Sequence, residues 1–284
     1  MNILIYSKDA GGAEILSSWI KHKKIKNFHA ILEGPAVKVY KSKFKKIEIK
    51  KKSINVKNYD KFLFSTSFPP SFELDLLKNF KDKNKKTIAF LDHWVNYDKR
   101  FKKNNINFLP DQIIVADGLA FKIAKKKFKQ TKIIREKNYF LIEKKSKLKK
   151  IKKTKKYILI LSSPKYNSLK NFSKQKSLKQ NKIHMKYIIK KILQHKEKFV
   201  SNKILIRLHP SEKKVNFSWI PKKIKRYELK FSTNSLESDL AGAEVVFGTN
   251  SMAFIFADLM NKKIYNVLHK RQNTIPIKKI KNIS

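Results

Sequence analysis

The chain has 284 residues and a mass of 33.5 kDa, with 41% hydrophobic and 12% aromatic side chains, enough to bury the core of one large domain or two ordinary ones and too much for a globally disordered chain. It has no cysteine, which removes disulfide scaffolds, thiolate metal sites and cysteine nucleophiles and points to a reducing compartment. Lys and Arg number 68 against 21 Asp and Glu, a net charge of +47, yet only Arg100, Arg135, Arg207, Arg226 and Arg271 are arginines, and arginine is the preferred residue for forked recognition of phosphate and guanine.

The charge therefore reads first as a lysine-filled, solvated surface of the kind an AT-rich genome produces. Contact with an anionic membrane surface comes second, and no specific nucleic-acid partner is expected. The first apolar run, Ile3 to Tyr6, is shorter than the core of an export signal, and no stretch approaches the ~18 apolar residues of a membrane span. The expected location is the cytoplasm, with peripheral contact at the inner face of a membrane.

In chain order, short apolar runs alternate with helix-like stretches, the pattern of an α/β fold with parallel sheets. In the first half, strands are predicted at Asn2–Tyr6, Phe28–Leu32, Lys61–Ser65, Thr87–Leu91, Gln112–Ala116 and Lys132–Arg135, with helices at Ala13–Lys23, Ser71–Phe80 and Gly118–Phe128. Residues 143–156, EKKSKLKKIKKTKK, carry too little apolar content to pack and read as a linker between domains at 1–142 and 157–284. The alternation then restarts, with strands at Tyr157–Leu161, Lys203–Leu208, Arg226–Phe231, Glu244–Phe247 and Lys263–Val267 and helices at Ile183–His195 and Ser251–Met260. The expected architecture is two Rossmann-like domains.

Ligands of open parallel sheets bind outside the carboxyl ends of strands, so those ends hold the candidate site residues. The first strand runs into Asp9, then Gly11, Gly12 and Glu14, where a glycine pair ahead of a helix would let backbone N–H groups approach a polar ligand. This is neither a dinucleotide fingerprint nor a P-loop, and the simpler reading is a tight turn with Asp9 as a cap. Asp92 and His93 follow another strand and form an acid/base candidate, against the alternative that Trp94 and Tyr97 seal the core there. In the second half, three strand ends read Ser162-Ser163, Arg207-Leu208-His209-Pro210 and Thr249-Asn250-Ser251. Proline ends its strand and fixes the backbone after the histidine, while hydroxyls at a helix start suit a phosphate.

These last motifs carry a resemblance. Residues 157–268, through Arg207-Leu208-His209-Pro210, Ser162-Ser163 and the run from Asp239 to Ser251, resemble the donor-nucleotide domain of GT-B glycosyltransferases, particularly the group that comprises bacterial polysialyltransferases and CDP-glycerol glycerophosphotransferase-like enzymes. The resemblance implies a GT-B-like fold and transfer of a sugar or polyol phosphate from a nucleotide-activated donor in surface polysaccharide or lipopolysaccharide synthesis. It puts His209, Ser251, Ser162 and Ser163 at the donor's phosphate and sugar, with Arg207, Thr249 and Asn250 in the same donor set. The family's ribose-binding acid falls near Phe256, with Asp258 close by. A base from the first half, Asp9 or Asp92 with His93, would deprotonate a glycan or lipid-linked acceptor, the donor lying between the halves, with neither metal nor resident cofactor. The alternatives are a UDP-sugar 2-epimerase-like enzyme and a noncatalytic polyanion-binding protein on a degenerate GT-B scaffold.

Overall fold

The computed structural model describes residues 2–162, 174–210, 212–249, 251–267, 275, 277 and 280–282. The chain divides into two compact units, Met1–Glu143 and Lys144–Ser284. Unit 1 contains β1 (Ile3–Ser7), α1 (Ala10–His22), β2 (Phe28–Leu32), α2 (Pro35–Lys43), β3 (Glu48–Ile49), β4 (Lys61–Ser65), α3 (Glu73–Lys81) and β5 (Lys86–Leu91). It continues through α4 (Tyr97–Arg100), a hairpin of β6 (Lys102–Lys103) and β7 (Ile106–Asn107), β8 (Gln112–Val115), α5 (Gly118–Lys127), β9 (Lys132–Arg135) and the start of α6 (Tyr139–Lys149). Its seven-stranded sheet has the order β3-β2-β1-β4-β5-β8-β9 and is parallel throughout.

Unit 2 repeats the plan with β10 (Tyr157–Leu161), α7 (Lys174–Gln194), β11 (Lys203–Arg207), β12 (Lys223–Ile224), β13 (Tyr227–Phe231) and α8 (Leu236–Gly242). Then come β14 (Ala243–Gly248), α9 (Ala253–Leu259), β15 (Lys263–Asn266) and β16 (Ile280–Asn282). The order is β12-β13-β11-β10-β14-β15-β16, parallel except for the two-residue edge strand β12. In each unit the strand order reverses direction beside the first strand, between β1 and β4 and between β10 and β14. That is where open α/β sheets form a crevice for ligands.

Each core follows from periodicity. Ala13, Leu16 and Ile20 recur along one face of α1 and pack on Ile3, Ile5, Ala30, Leu63 and Phe90 of the sheet. In unit 2, Met185, Ile188, Ile189 and Ile192 of α7 cover Ile158, Ile160, Ile204, Ile206 and Phe247. Fully burying one such side chain contributes roughly 1.5–3 kcal/mol. Cations also tie backbone segments together: half-buried Lys262 Nζ donates to the carbonyls of Thr154 (3.4 Å), Ala241 (2.8 Å) and Ala243 (2.7 Å). Arg226 Nη2 likewise donates to those of Lys196 (2.7 Å) and Phe199 (2.8 Å).

Several elements differ from the sequence reading. The lysine block read as a linker is helical as far as Lys149, and its Leu148 is 1% exposed, so one apolar residue anchors a stretch whose composition is otherwise polar. Helix α2 hides behind a valine-rich run, but Pro35 supplies a preset first-turn φ and Gly34 takes φ +50°, which a side chain would strain. Helix α8 is started by the Ser235 side chain, which accepts from the Ser238 amide at 3.1 Å.

Helix α1 begins at Ala10 rather than Ala13, so Gly11 and Gly12 lie inside its first turn and not in a loop ahead of it. The reason is close packing: a Cβ on Gly12 would stand 2.6 Å from Ser65 Cβ, and one on Gly11 would stand 2.5 Å from Asp92 Oδ2. Gly12→Ala is therefore expected to push α1 off β4 and cost about 1–3 kcal/mol, read as a lowered midpoint of urea unfolding with the slope unchanged.

Candidate functional site

Parallel pairing sends β1, β4 and β5 out through one edge of unit 1, and the loops that follow them meet there. Asp9 ends β1's loop in extended backbone at the N-cap of α1, but its side chain does not cap the helix. Instead its Oδ2 accepts from the amide of Phe68 at 3.0 Å, in the loop after β4. Burial raises the pKa of Asp9, the charge of Asp92 adds to the rise, and the Phe68 amide, Arg100 and Lys8 oppose it.

Asp92 follows β5 and is held by an arginine. Its Oδ1 receives Arg100 Nη1 at 3.1 Å, and the same nitrogen reaches Thr66 Oγ1 at 3.1 Å. Arg100 is 6% exposed, so this ion pair sits where solvent screens it weakly. The His93 ring takes its hydrogen bond at Nδ1 from the Trp94 amide, 2.9 Å away, while the Trp94 indole donates to Asp117 Oδ2 at 2.7 Å. Trp94 and Tyr97 are both buried, so this loop also closes the core, as the alternative reading expects.

The β4 loop is held from below by Glu73, which is fully buried. It accepts from the Ser67 amide (3.0 Å), the Ser71 amide (3.0 Å) and the Ser67 hydroxyl. Glu14, expected at the acceptor loop, lies elsewhere: its carboxylate pairs with Lys43 of α2 at 2.5 Å, because its position on α1 faces that helix. Gly11 and Gly12 lie in the first turn of α1, where Gly12 packs on Ser65 and Gly11 faces Asp92.

In unit 2, β11, β10 and β14 are neighbours and parallel. Ser162, His209 and Thr249 follow their carboxyl ends on a single edge. Ser162 continues the ladder by donating its amide to the Arg207 carbonyl at 2.9 Å. His209 is exposed, and its turn is fixed by Glu212, whose Oε2 accepts from the His209 amide and whose Oε1 accepts from Asn181 Nδ2 of α7, both at 2.9 Å. Thr249 is 5% exposed. Ser251 Oγ accepts from the Ala253 amide at 3.3 Å, at the start of α9. Ser163 and Asn250 lie outside the described residues.

Arg207 Nη1 is engaged by the fully buried Asp239 (Oδ2, 2.9 Å) and by the Asn234 carbonyl (2.7 Å). Asp239 also accepts from Ser232 Oγ at 2.6 Å and Asn234 Nδ2 at 3.2 Å. Phe256 lies under Lys144 Nζ, 6.0 Å from its ring centre, so a cation and an aromatic ring stand where the resemblance puts an acid.

Sequence reasoning thus missed Arg100, Glu73, Glu212 and Asn181, and the pairing of Asp239 with Arg207, which hold the predicted residues in place. The rarity of arginine was the one usable signal for Arg100. Among the described residues no cluster of three or more His, Asp or Glu could hold a metal ion, and no helix is long and apolar enough to cross a membrane.

No family model matches the sequence, and no curated protein does. Solved structures match at the level of fold. A UDP-N-acetylglucosamine 2-epimerase of Listeria monocytogenes is similar with a TM-score of 0.62 at 11% identity, covering 99% of this chain and 84% of its own. MurG of Acinetobacter baumannii is similar with a TM-score of 0.52 at 7% identity, covering 95% and 79%. The fold is therefore GT-B-like, two Rossmann-like domains with parallel sheets.

Two outcomes test the supports of the site. Replacing Asp239 by Ala leaves the Arg207 guanidinium without its buried partner and should lower stability by about 3 kcal/mol, seen as an earlier urea transition. Burial also holds the His93 ring below its ordinary pKa, with Asp92 pulling it up and Arg100 pushing it down. The unfolded chain protonates this ring near pH ~6.5, so its contribution to stability is full above that value and is lost as pH falls through it toward the folded pKa. His93→Gln should flatten the decline in urea midpoint between about pH 7 and about pH 5.

Proposed function

We propose that the protein is a metal-independent GT-B-type transferase. It moves a sugar or polyol phosphate from a nucleotide-activated donor to a glycan or lipid-linked acceptor in bacterial surface polysaccharide synthesis, as a member of the His-Pro group that its sequence resembles. The observation that carries this reading is the convergence of Ser162, His209 and Thr249 at the ends of three adjacent parallel strands, beside the point where the order of the unit 2 sheet reverses. Exposed His209 on a turn fixed by Glu212 can present its imidazole to a donor phosphate. The Thr249 and Ser251 hydroxyls supply neutral donors to the same group. Lysines stabilise the charge that develops on the departing nucleotide. Asp9 or Asp92, with His93, accepts the proton of the acceptor hydroxyl, and the raised pKa of Asp9 brings it nearer to the range where a carboxylate is an effective base. The excess of lysine suits peripheral contact with an anionic membrane, where a lipid-linked acceptor would be found.

The test is a thermal-shift panel of CMP, CDP, UDP, GDP and their sugar conjugates, in moderate salt, beside His209→Ala. A donor that binds only the folded protein stabilises it by about 2.7 kcal/mol at a hundredfold excess over Kd. The expected outcome is a rise in Tm selective for one base and lost in the variant, whose backbone hydrogen bond to Glu212 does not depend on the side chain. A rise with every anion, equal in both proteins and erased by salt, would overturn the reading in favour of polyanion binding.

A further inference from the structure

The two candidate bases of unit 1 are held by groups that neither the sequence motifs nor the proposed transfer reaction names. Asp92 is gripped at Oδ1 by Arg100 Nη1 (3.1 Å), and Arg100 is almost fully buried. The same Nη1 also reaches the Thr66 hydroxyl (3.1 Å) and carbonyl (3.4 Å), while Nε donates to the Val95 carbonyl (3.4 Å). One planar guanidinium thus joins the β4 loop to the β5 loop, which a lysine ammonium cannot do with the same geometry.

Asp9 is gripped by the Phe68 amide (3.0 Å). That amide belongs to a loop fixed on both sides by the buried carboxylate of Glu73, through the Ser67 amide and hydroxyl and the Ser71 amide. Arg100 and Glu73 thus each tie one carboxylate of the pair to a neighbouring loop.

We propose that Arg100 and Glu73 are the positioning residues of the Asp9–Asp92 pair. Arg100 orients Asp92 and the start of the β4 loop, and Glu73 presents the Phe68 amide to Asp9. This rests on the reading that the pair is the base of the transfer reaction, but it concerns geometry that exists without any ligand.

The experiment is a pH titration of the Asp9 carboxyl by NMR of protein labelled with 13Cγ-aspartate, the resonance being assigned by its loss in Asp9→Asn. No nucleotide is present. The charged groups that act on Asp9 are Asp92, Arg100 and Lys8, so each variant has a signed outcome. Asp92→Asn removes a like charge and should move the Asp9 midpoint down by about one pH unit. Arg100→Met removes an opposite charge and should move it up by a similar amount, while Arg100→Lys should move it up by less. Glu73→Gln sets an amide donor against the Ser71 amide, loosens the loop and should also move the midpoint up, through loss of the Phe68 hydrogen bond. Ile20→Val, a core change on α1 away from the pair, should leave it in place.

An Asp9 midpoint unchanged in folded Arg100→Met and Glu73→Gln proteins would overturn the proposal. If Arg100→Met does not fold, an unmoved midpoint in Arg100→Lys overturns the Arg100 half, because the charge is kept and only the fork is lost. Opposite displacements in the Asp92 and Arg100 variants are a signature that general destabilisation does not produce. If the displacements appear while the nucleotide panel is silent, the positioning stands and the transferase reading falls.

Discussion

A parallel sheet sends every strand out through the same edge, and everything else in this molecule depends on that constraint. Side chains far apart in the sequence need no long-range design to meet: Asp9, Phe68 and Asp92 come together because β1, β4 and β5 are neighbours with the same direction. Ser162, His209 and Thr249 come together for the same reason. The price is a crowd of loops at one edge, with backbone groups that must find partners away from any ladder.

Both units meet that demand with the same device. A buried or nearly buried carboxylate pairs with an arginine, Asp92 with Arg100 and Asp239 with Arg207. A second carboxylate collects loop amides, Glu73 in one unit and Glu212 in the other. Such pairs are poor evidence for added stability, because desolvating two charges offsets much of their attraction. What they contribute is to tie loops from different strands to one another through shared hydrogen bonds. Their partners are spread over loops and not along one helix, which suits an edge where several chain segments must hold station together.

The fold was readable in the sequence because it rests on periodicity. The strands at Ile3, Phe28, Lys61, Tyr157 and Lys203 declare themselves as short apolar runs, and the His-Pro turn ends its strand where proline must. Less readable were elements whose local chemistry pulls two ways. The valines of α2 favour a strand while Pro35 and Gly34 favour a helix start, and the lysine block hides a helix that a single buried leucine anchors. At the site, the residues visible in sequence were those at strand ends and in the run that opens at Asp239, whereas Arg100 and Glu73 acquire meaning only from the loops they touch. The glycine pair and Glu14 lie inside α1 and not in a loop ahead of it, for a related reason. Their place after β1 is right, but the direction of a helical side chain depends on where the helix begins, and α1 begins three residues early to pack on Ser65.

The ties described above divide the cations into two chemical kinds. Arg100, Arg207 and Arg226 hold backbone and carboxylates with guanidinium groups, whereas the field around the molecule comes overwhelmingly from primary amines. Reagents or enzymes that acylate amines could reverse the sign of the net charge, because lysines outnumber the +47 excess, without reaching the carboxylate–guanidinium ties at either sheet edge. Lys43, paired with Glu14, and Lys262, among three carbonyls, are two amines for which this would not hold. Long-range attraction and local architecture are thus written in different functional groups, and one can be altered while the other is left standing.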